Sequence, residues 1–154
     1  MESAELKEDL DAHAAAFSRS LQDLAVFVDG EISKVMRKAV LDVYRHITKA
    51  SPVDTGAYRA SHGIANLEPA DTDGIVLSKD KKKVPFVNKG KTWSWYVGDG
   101  DIWLYNNVPY AERIEDGWSK KAPEGVYRVA LAVFTVSFDM EVGKMKTLVP
   151  DSGE

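Results

Sequence analysis

Cysteine is absent from this chain. A protein without thiols has no disulfide framework, no thiolate ligand for a metal and no cysteine nucleophile. Its stability must come from a packed core, and 154 residues, 44% of them hydrophobic, suffice for one domain that buries roughly two thirds of its unfolded surface. We expect a single domain with an N-terminal helix or arm over 1–28, a core over 29–148 and a flexible tail over 149–154.

Long apolar runs are also missing. No segment approaches the roughly 20 apolar residues that a membrane span needs. The first residues, Met-Glu-Ser-Ala-Glu-Leu-Lys-Glu-Asp, are acidic and lack the apolar stretch of a secretory signal. These two absences predict a soluble intracellular protein with no membrane partner.

Signatures of catalysis and of ligand binding are scarce. The three histidines, His13, His46 and His62, lack the paired spacing of a metal site and are expected at the surface or at an interface. The Gly-Asp-Gly-Asp run at 98–101 lacks the terminal glutamate of a calcium loop and predicts a turn instead. No glycine-rich phosphate loop or Gly-X-Ser-X-Gly motif occurs. We therefore predict a protein that is not an enzyme, with no catalytic residue, no metal and no cofactor.

One tetrapeptide supports a competing interpretation. Asp54-Thr55-Gly56-Ala57 matches the active-site motif of retroviral-type aspartic proteases, which pair two such carboxylates across a dimer. In those enzymes the motif follows an apolar strand, whereas here it follows a helix that Ser51-Pro52 should end. A tight turn after the helix is the favoured interpretation, and a homodimeric protease that uses Asp54 is the alternative.

An overall positive charge is lacking as well. The formal charge of −4 argues against a nucleic-acid footprint over the whole surface. Residues 78–92 are a local exception, with six lysines against Asp80, and the neighbouring Trp93 and Trp95 could stack on bases. Such a run is typical of a solvated loop. The candidate contacts to DNA or to a partner protein in this loop are Lys79, Lys81, Lys82, Lys83, Lys89 and Lys91.

Helical periodicity, in contrast, is abundant in the first third of the chain. Apolar residues recur every three or four positions over 3–28 and more regularly over 31–50. Asp29-Gly30 predicts a turn between two helices, with one long bent helix as the alternative. Ser51-Pro52 predicts the end of the second helix.

Alternating apolar and polar residues predict short strands farther along the chain. They cover 57–65, 74–77, 93–97 and 102–105, and the last two are expected to pair as a hairpin. Residues 126–137 follow helical spacing, although their β-branched content makes a strand the alternative. The predicted fold class is α+β, with long N-terminal amphipathic helices packed on a small antiparallel sheet, a short helix after the 104–107 strand and a C-terminal helix.

The segment 104–118, Leu-Tyr-Asn-Asn-Val-Pro-Tyr-Ala-Glu-Arg-Ile-Glu-Asp-Gly-Trp, carries the densest local signals. Its asparagines favour a turn where a strand ends, and its proline presets φ for the first turn of a helix. The helix should run about two turns to Gly117, whose positive φ would end it, with Trp118 as a lid. Packing is assigned to Tyr110, Ile114 and Trp118, whereas the residues predicted to point outward are Glu112, Arg113 and Glu115.

Three motifs, in order, resemble a family of tail components of long-tailed, lambda-like bacteriophages. The first is Ser-Pro-Val-Asp-Thr-Gly-Ala-Tyr-Arg-Ala-Ser at 51–61, and the second is Asn-Asn-Val-Pro-Tyr-Ala-Glu-Arg-Ile-Glu-Asp-Gly-Trp-Ser at 106–119. The third is the segment 120–128, in which Ala-Pro-Glu-Gly at 122–125 leads into the C-terminal helix. The resemblance covers about 28–138, and its signature residues are Pro52, Asp54, Thr55, Gly56, Asn106, Asn107, Pro109, Tyr110, Ala111, Gly117, Trp118, Ala122 and Pro123.

This resemblance implies a structural virion protein, a tail-completion or neck component that helps to join tail to head. Such a minor tail protein would form a ring, with six subunits to match a tail tube, at the head-proximal end of the tail. Its implied partners are further copies of itself, the tail terminator, the head-completion or connector protein, the tail tube and, transiently, genomic DNA in the channel. It would be found in the virion, and in the host cytoplasm during assembly.

Overall fold

The computed structural model describes residues 2–146 and the side chains of 3–145. The predicted α+β class is confirmed, because these residues form helices together with a two-stranded antiparallel sheet. The predicted tail 149–154 lies outside the described residues. In chain order the elements are α1 (Glu2–Ala50), α2 (Ala57–Ala60), β1 (His62–Ala65), a 3₁₀ turn (Lys89–Lys91), β2 (Trp103–Asn106), α3 (Ala111–Glu115) and α4 (Tyr127–Lys146).

The first helix is continuous over 49 residues. The predicted turn at Asp29-Gly30 is therefore wrong, and the alternative of one long helix is confirmed. A glycine inside a helix costs only about 1 kcal/mol relative to alanine, which the flanking helical segments outweigh. The helix ends at Ala50, as Ser51-Pro52 predicted.

The core forms where the second half of α1 packs against α4. Asp42 and Ser137 tie the two helices together, because the Ser137 hydroxyl donates a 2.6 Å hydrogen bond to the Asp42 carboxylate. In both α1 and α4 the buried residues recur at helical spacing, which explains why 127–146 is a helix and not the alternative strand. Buried members of this core are Val43, Tyr44, Ile47, Tyr58, Val108, Ala122, Val126 and Ala130.

The sheet differs from the predicted hairpin. β2 pairs with β1 in antiparallel register, from His62 opposite Asn106 to Ala65 opposite Trp103. Gly63 permits this pairing, because a Cβ atom there would lie 2.1 Å from the ring of Tyr105.

Three of the predicted strands need correction. Residues 57–60 form α2 instead of the start of a strand, while 74–77 and 93–97 are not strands. In residues 93–97 a nearby side chain supplies a backbone hydrogen bond that a neighbouring strand would otherwise make. The carboxylate of Asp99 accepts a hydrogen bond from the N–H of Tyr96 at 2.8 Å. The two tryptophans of that segment are half-buried and not in the core.

The short helix α3 ends as predicted, at a glycine with φ of 87°. The N–H groups of Gly117 and Trp118 donate to the carbonyls of Ile114 and Arg113, which is the paired hydrogen bonding of a Schellman motif. Ile114 packs against the core as expected. Tyr110 is 40% exposed, but its ring lies against that of the buried Tyr58, with 6.4 Å between the centroids. Trp118 does not pack against the core, since it is 74% exposed and its ring lies instead against the Arg113 guanidinium.

Candidate assembly interface

A buried polar cluster surrounds His62, which is fully inaccessible to solvent. Its Nε2 lies 2.6 Å from the Ser51 hydroxyl, and its Nδ1 lies 2.7 Å from the Tyr127 hydroxyl. The Asn106 amide lies 3.3 Å from the same Nδ1 and donates to the carbonyl of Tyr58 at 2.8 Å. The sequence-based expectation of a surface or interface histidine is therefore wrong for this residue.

The direction of these hydrogen bonds assigns the tautomer of His62. The Ser51 hydroxyl donates to the carbonyl of Ile47 at 2.6 Å, so it accepts from His62, and Nε2 carries the proton. Nδ1 then accepts from the Tyr127 hydroxyl. Burial, with a smaller contribution from the charge of Lys89, lowers the pKa of His62 to about 3. A neutral ring that donates to Ser51 cannot act as a base for that hydroxyl, so the cluster joins α1, β1 and α4 as a structural unit.

The carboxylate of Glu115 lies at the N-terminus of α4. It accepts hydrogen bonds from the N–H groups of Val126 and Tyr127, both at 2.6 Å, and from that of Arg128 at 3.3 Å. Glu115 thus satisfies unpaired donors of the helix and places a negative charge at the positive end of its dipole. The prediction that Glu115 points outward is wrong, because no local pattern indicates that two helices will meet here.

The three motifs come together around α2 and α3. The first and second are joined by the amide of Asn106, which donates to Tyr58. The second and third are joined through Glu115 and through Gly117, where a Cβ atom would lie 2.3 Å from the carbonyl oxygen of Pro123. The motif residues thus determine backbone geometry and connect the two long helices to the sheet.

The protease motif occupies the connector after α1. Asp54 is exposed there, and the carbonyl of Thr55 accepts from the N–H of Val84 at 2.8 Å. Gly56 has a φ of 88°, which a turn between two helices explains. The second carboxylate of a protease would have to come from another copy of the chain.

The lysine loop divides into two parts. Lys79, Lys81, Lys82 and Lys83 are exposed on a tight turn, in which the N–H of Lys82 donates to the carbonyl of Lys79 at 3.0 Å. Lys89 is half-buried, and burial lowers the pKa of its ammonium group. The composition of the loop suggested one solvated surface, but only its first part is fully exposed.

The second part of the loop borders a basic groove. This groove has a volume of about 610 Å³, and its lining includes the apolar side chains of Leu41 and Phe86. The charged side chains that line it are all cationic: Arg45, Lys49, Arg59 and Lys91. The Arg59 guanidinium lies 5.1 Å from the centre of the Phe86 ring, and its buried Nε has no hydrogen-bond acceptor among the residues that the structure describes.

The first half of α1 forms an arm, residues 3–28, in which every residue is exposed. At 1.5 Å per residue this arm is about 40 Å long. Its apolar side chains form one stripe at the spacing of a coiled-coil seam, three and four residues apart. The large members of the stripe are between 42% and 66% exposed: Leu6, Leu10, Phe17, Leu21, Leu24 and Val28.

Comparison with protein-family models, with curated protein sequences and with solved structures found no match to this chain. None of the helices in the part that the structure describes is long and apolar enough to cross a bilayer. Within the same residues, His, Asp and Glu side chains form no group of three that could hold a metal ion.

Proposed function

We propose that this protein is a structural virion protein of a long-tailed bacteriophage, a tail-completion or neck component that forms a ring at the head-proximal end of the tail. The observation that carries this proposal is the arm. An exposed apolar stripe on a helix about 40 Å long is stabilised when another surface covers it. Large exposed apolar patches of this kind mark protein–protein contacts.

The arm and the body support a ring in particular. A subunit with a protruding helix at one end and a grooved body at the other presents two different surfaces to its neighbours. Contacts between unlike surfaces generate a closed ring when the rotation between subunits closes. Within the body, hydrogen bonds of Asn106 and Glu115 connect the motifs to one another.

Deletion of the gene tests this function. We expect heads and tails that do not join, or tails with a faulty end, when lysates are examined by negative-stain electron microscopy. Wild-type protein supplied in trans should restore infectious particles, whereas Phe17→Asp should not, because it places a charge in the apolar stripe. Gln22→Asp, on the opposite face of the same helix, is the matched control and should restore them. Normal virions from the deletion would refute the proposal.

Contact with genomic DNA is a second candidate function, supported by the exposed turn with four lysines. Phosphate contacts of this kind weaken as the salt concentration rises. Binding releases counterions from the DNA, and this release becomes less favourable when the surrounding solution already contains more salt. We expect weak retention of the protein on duplex DNA at low salt. Retention should fall when Lys81, Lys82 and Lys83 are replaced by alanine, and it should not fall when Lys34 and Lys144, in α1 and α4, are replaced. Equal losses would assign the binding to non-specific charge.

A further inference from the structure

We propose that the arm of one copy docks in the basic groove of the next copy, an inference that rests on the proposed ring. The first reason is charge complementarity. Residues 3–28 contain five acids and two bases, a formal charge of −3, and four of the acids fall between Glu5 and Asp11. The charged side chains that line the groove are four cations, and the buried Nε of Arg59 has no acceptor there.

The groove also matches the arm in polarity. Its lining combines apolar side chains, Leu41 and Phe86, with the four cations. On the arm, Leu6 and Leu10 belong to the apolar stripe, and Asp9 and Asp11 lie roughly 90–110° from the centre of that stripe on a helix of 3.6 residues per turn. An acidic amphipathic helix can therefore contact the apolar side chains of the groove with its apolar face and the cations with its flanking carboxylates.

The arm cannot occupy the groove of its own chain. Leu41 lines the groove and belongs to the same continuous helix as Asp11, so the two residues are held about 45 Å apart at 1.5 Å per residue. Parallel pairing of two arms in register is also disfavoured, because it brings Asp9 and Asp11, which flank the stripe, beside the same carboxylates of the neighbouring arm. A groove on a second copy is within reach of the arm and has a charge of the opposite sign.

The groove is shorter than the arm. It follows α1 from Leu41 to Lys49, about 12 Å at 1.5 Å per residue, so it takes the acidic first turns of the arm and not its whole length. A contact of this size is weak by itself and favours an association that forms cooperatively within a ring. Because arm and groove are different surfaces, each copy gives one arm and receives another.

A charge exchange tests this docking in sedimentation experiments on the purified full chain. We expect Asp9→Lys with Asp11→Lys, or Lys49→Glu with Lys91→Glu, to weaken self-association by about tenfold or more. Combining all four changes should restore it. The matched control is Glu5→Lys with Glu8→Lys, a pair that lies roughly 130–170° from the apolar stripe and should leave self-association nearly unchanged.

Four outcomes would overturn the docking: a wild-type chain that stays monomeric, a control pair as damaging as the test pair, no restoration in the fourfold variant, or groove variants that lose only binding to a fluorescent DNA duplex. The last outcome would assign the groove to nucleic acid. Failure of the docking is separable from failure of the proposed function. Unjoined heads and tails in the gene deletion, without restoration by the charge exchange, would leave the function standing and remove only the docking.

Discussion

Single residues in this protein act by joining elements that are distant in sequence. Glu115 is one example, because its carboxylate accepts from three N–H groups at the start of α4. We expect Glu115→Gln to lower the free energy of unfolding by about 1–2 kcal/mol, since it removes the charge but keeps one acceptor. Urea denaturation measures this change. Glu112→Gln, an exposed site on the same helix, should cost less than about 0.5 kcal/mol, and equal effects would contradict the capping role.

His62 should make stability depend on pH. Its pKa is lowered from 6.5 to about 3 in the folded protein, so between these values the unfolded state binds the extra proton. The neutral His62 ring therefore makes its full contribution to the free energy of unfolding above pH 6.5. This contribution is lost as pH falls, by up to about 1.4 kcal/mol per pH unit, so about 2 kcal/mol is lost at pH 5.

Denaturation between pH 7.5 and 5 tests this expectation. His62→Gln should be less stable at pH 7.5 but should show a flatter dependence on pH. His13→Gln, at an exposed site of the arm, should keep the wild-type slope. A wild-type slope that survives in His62→Gln would mean that another group titrates in this range.

Gly117 should matter more than Asp54. Gly117 has a positive φ, and a side chain there would collide with the backbone of Pro123. We expect Gly117→Val to cost more than about 3 kcal/mol or to prevent folding, as measured by thermal denaturation. Asp54→Asn, at an exposed site, should leave both folding and complementation intact. Loss of function with intact folding in Asp54→Asn would instead favour the protease interpretation.

At the scale of elements, the two halves of α1 differ in role although they form one helix. The second half packs against α4, whereas residues 3–28 are exposed throughout. We expect deletion of 3–28 to leave cooperative unfolding of the body and to shift its midpoint little, because few tertiary contacts are lost. Far-ultraviolet circular dichroism should lose the helical signal of the arm. A body that no longer unfolds cooperatively would show that the arm stabilises the monomer.

At the scale of the whole molecule, charge is distributed unevenly. The arm carries a formal charge of −3, whereas residues 78–92 carry +5. Self-association should therefore weaken as sodium chloride is raised from about 0.05 M to 0.5 M, since the Debye length falls from roughly 14 Å to 4 Å. Sedimentation velocity measures this change. Association that strengthens with salt would indicate that apolar contacts alone hold the copies together.

Some of this architecture could be predicted because its causes are local. Apolar spacing favours helix for the residues of α1 and α4, although it did not predict that α1 continues through Gly30, and Pro52 and Gly117 predict where α1 and α3 end. The apolar stripe of the arm is equally visible in sequence. The exposure of this stripe cannot be read from the sequence, because a pattern shows which face of a helix is apolar but not whether the chain itself covers that face.

The tertiary structure alone decided the long-range pairings. β2 carries alternating residues that suit either of two partners, and in the folded chain it pairs with β1, where Gly63 leaves room for the ring of Tyr105. The burial of His62 depends on Ser51, Asn106 and Tyr127, which lie 11, 44 and 65 positions away. Local periodicity determines which segments become helices, but hydrogen bonds between distant residues form only when packing brings them together, and packing is a property of the whole chain.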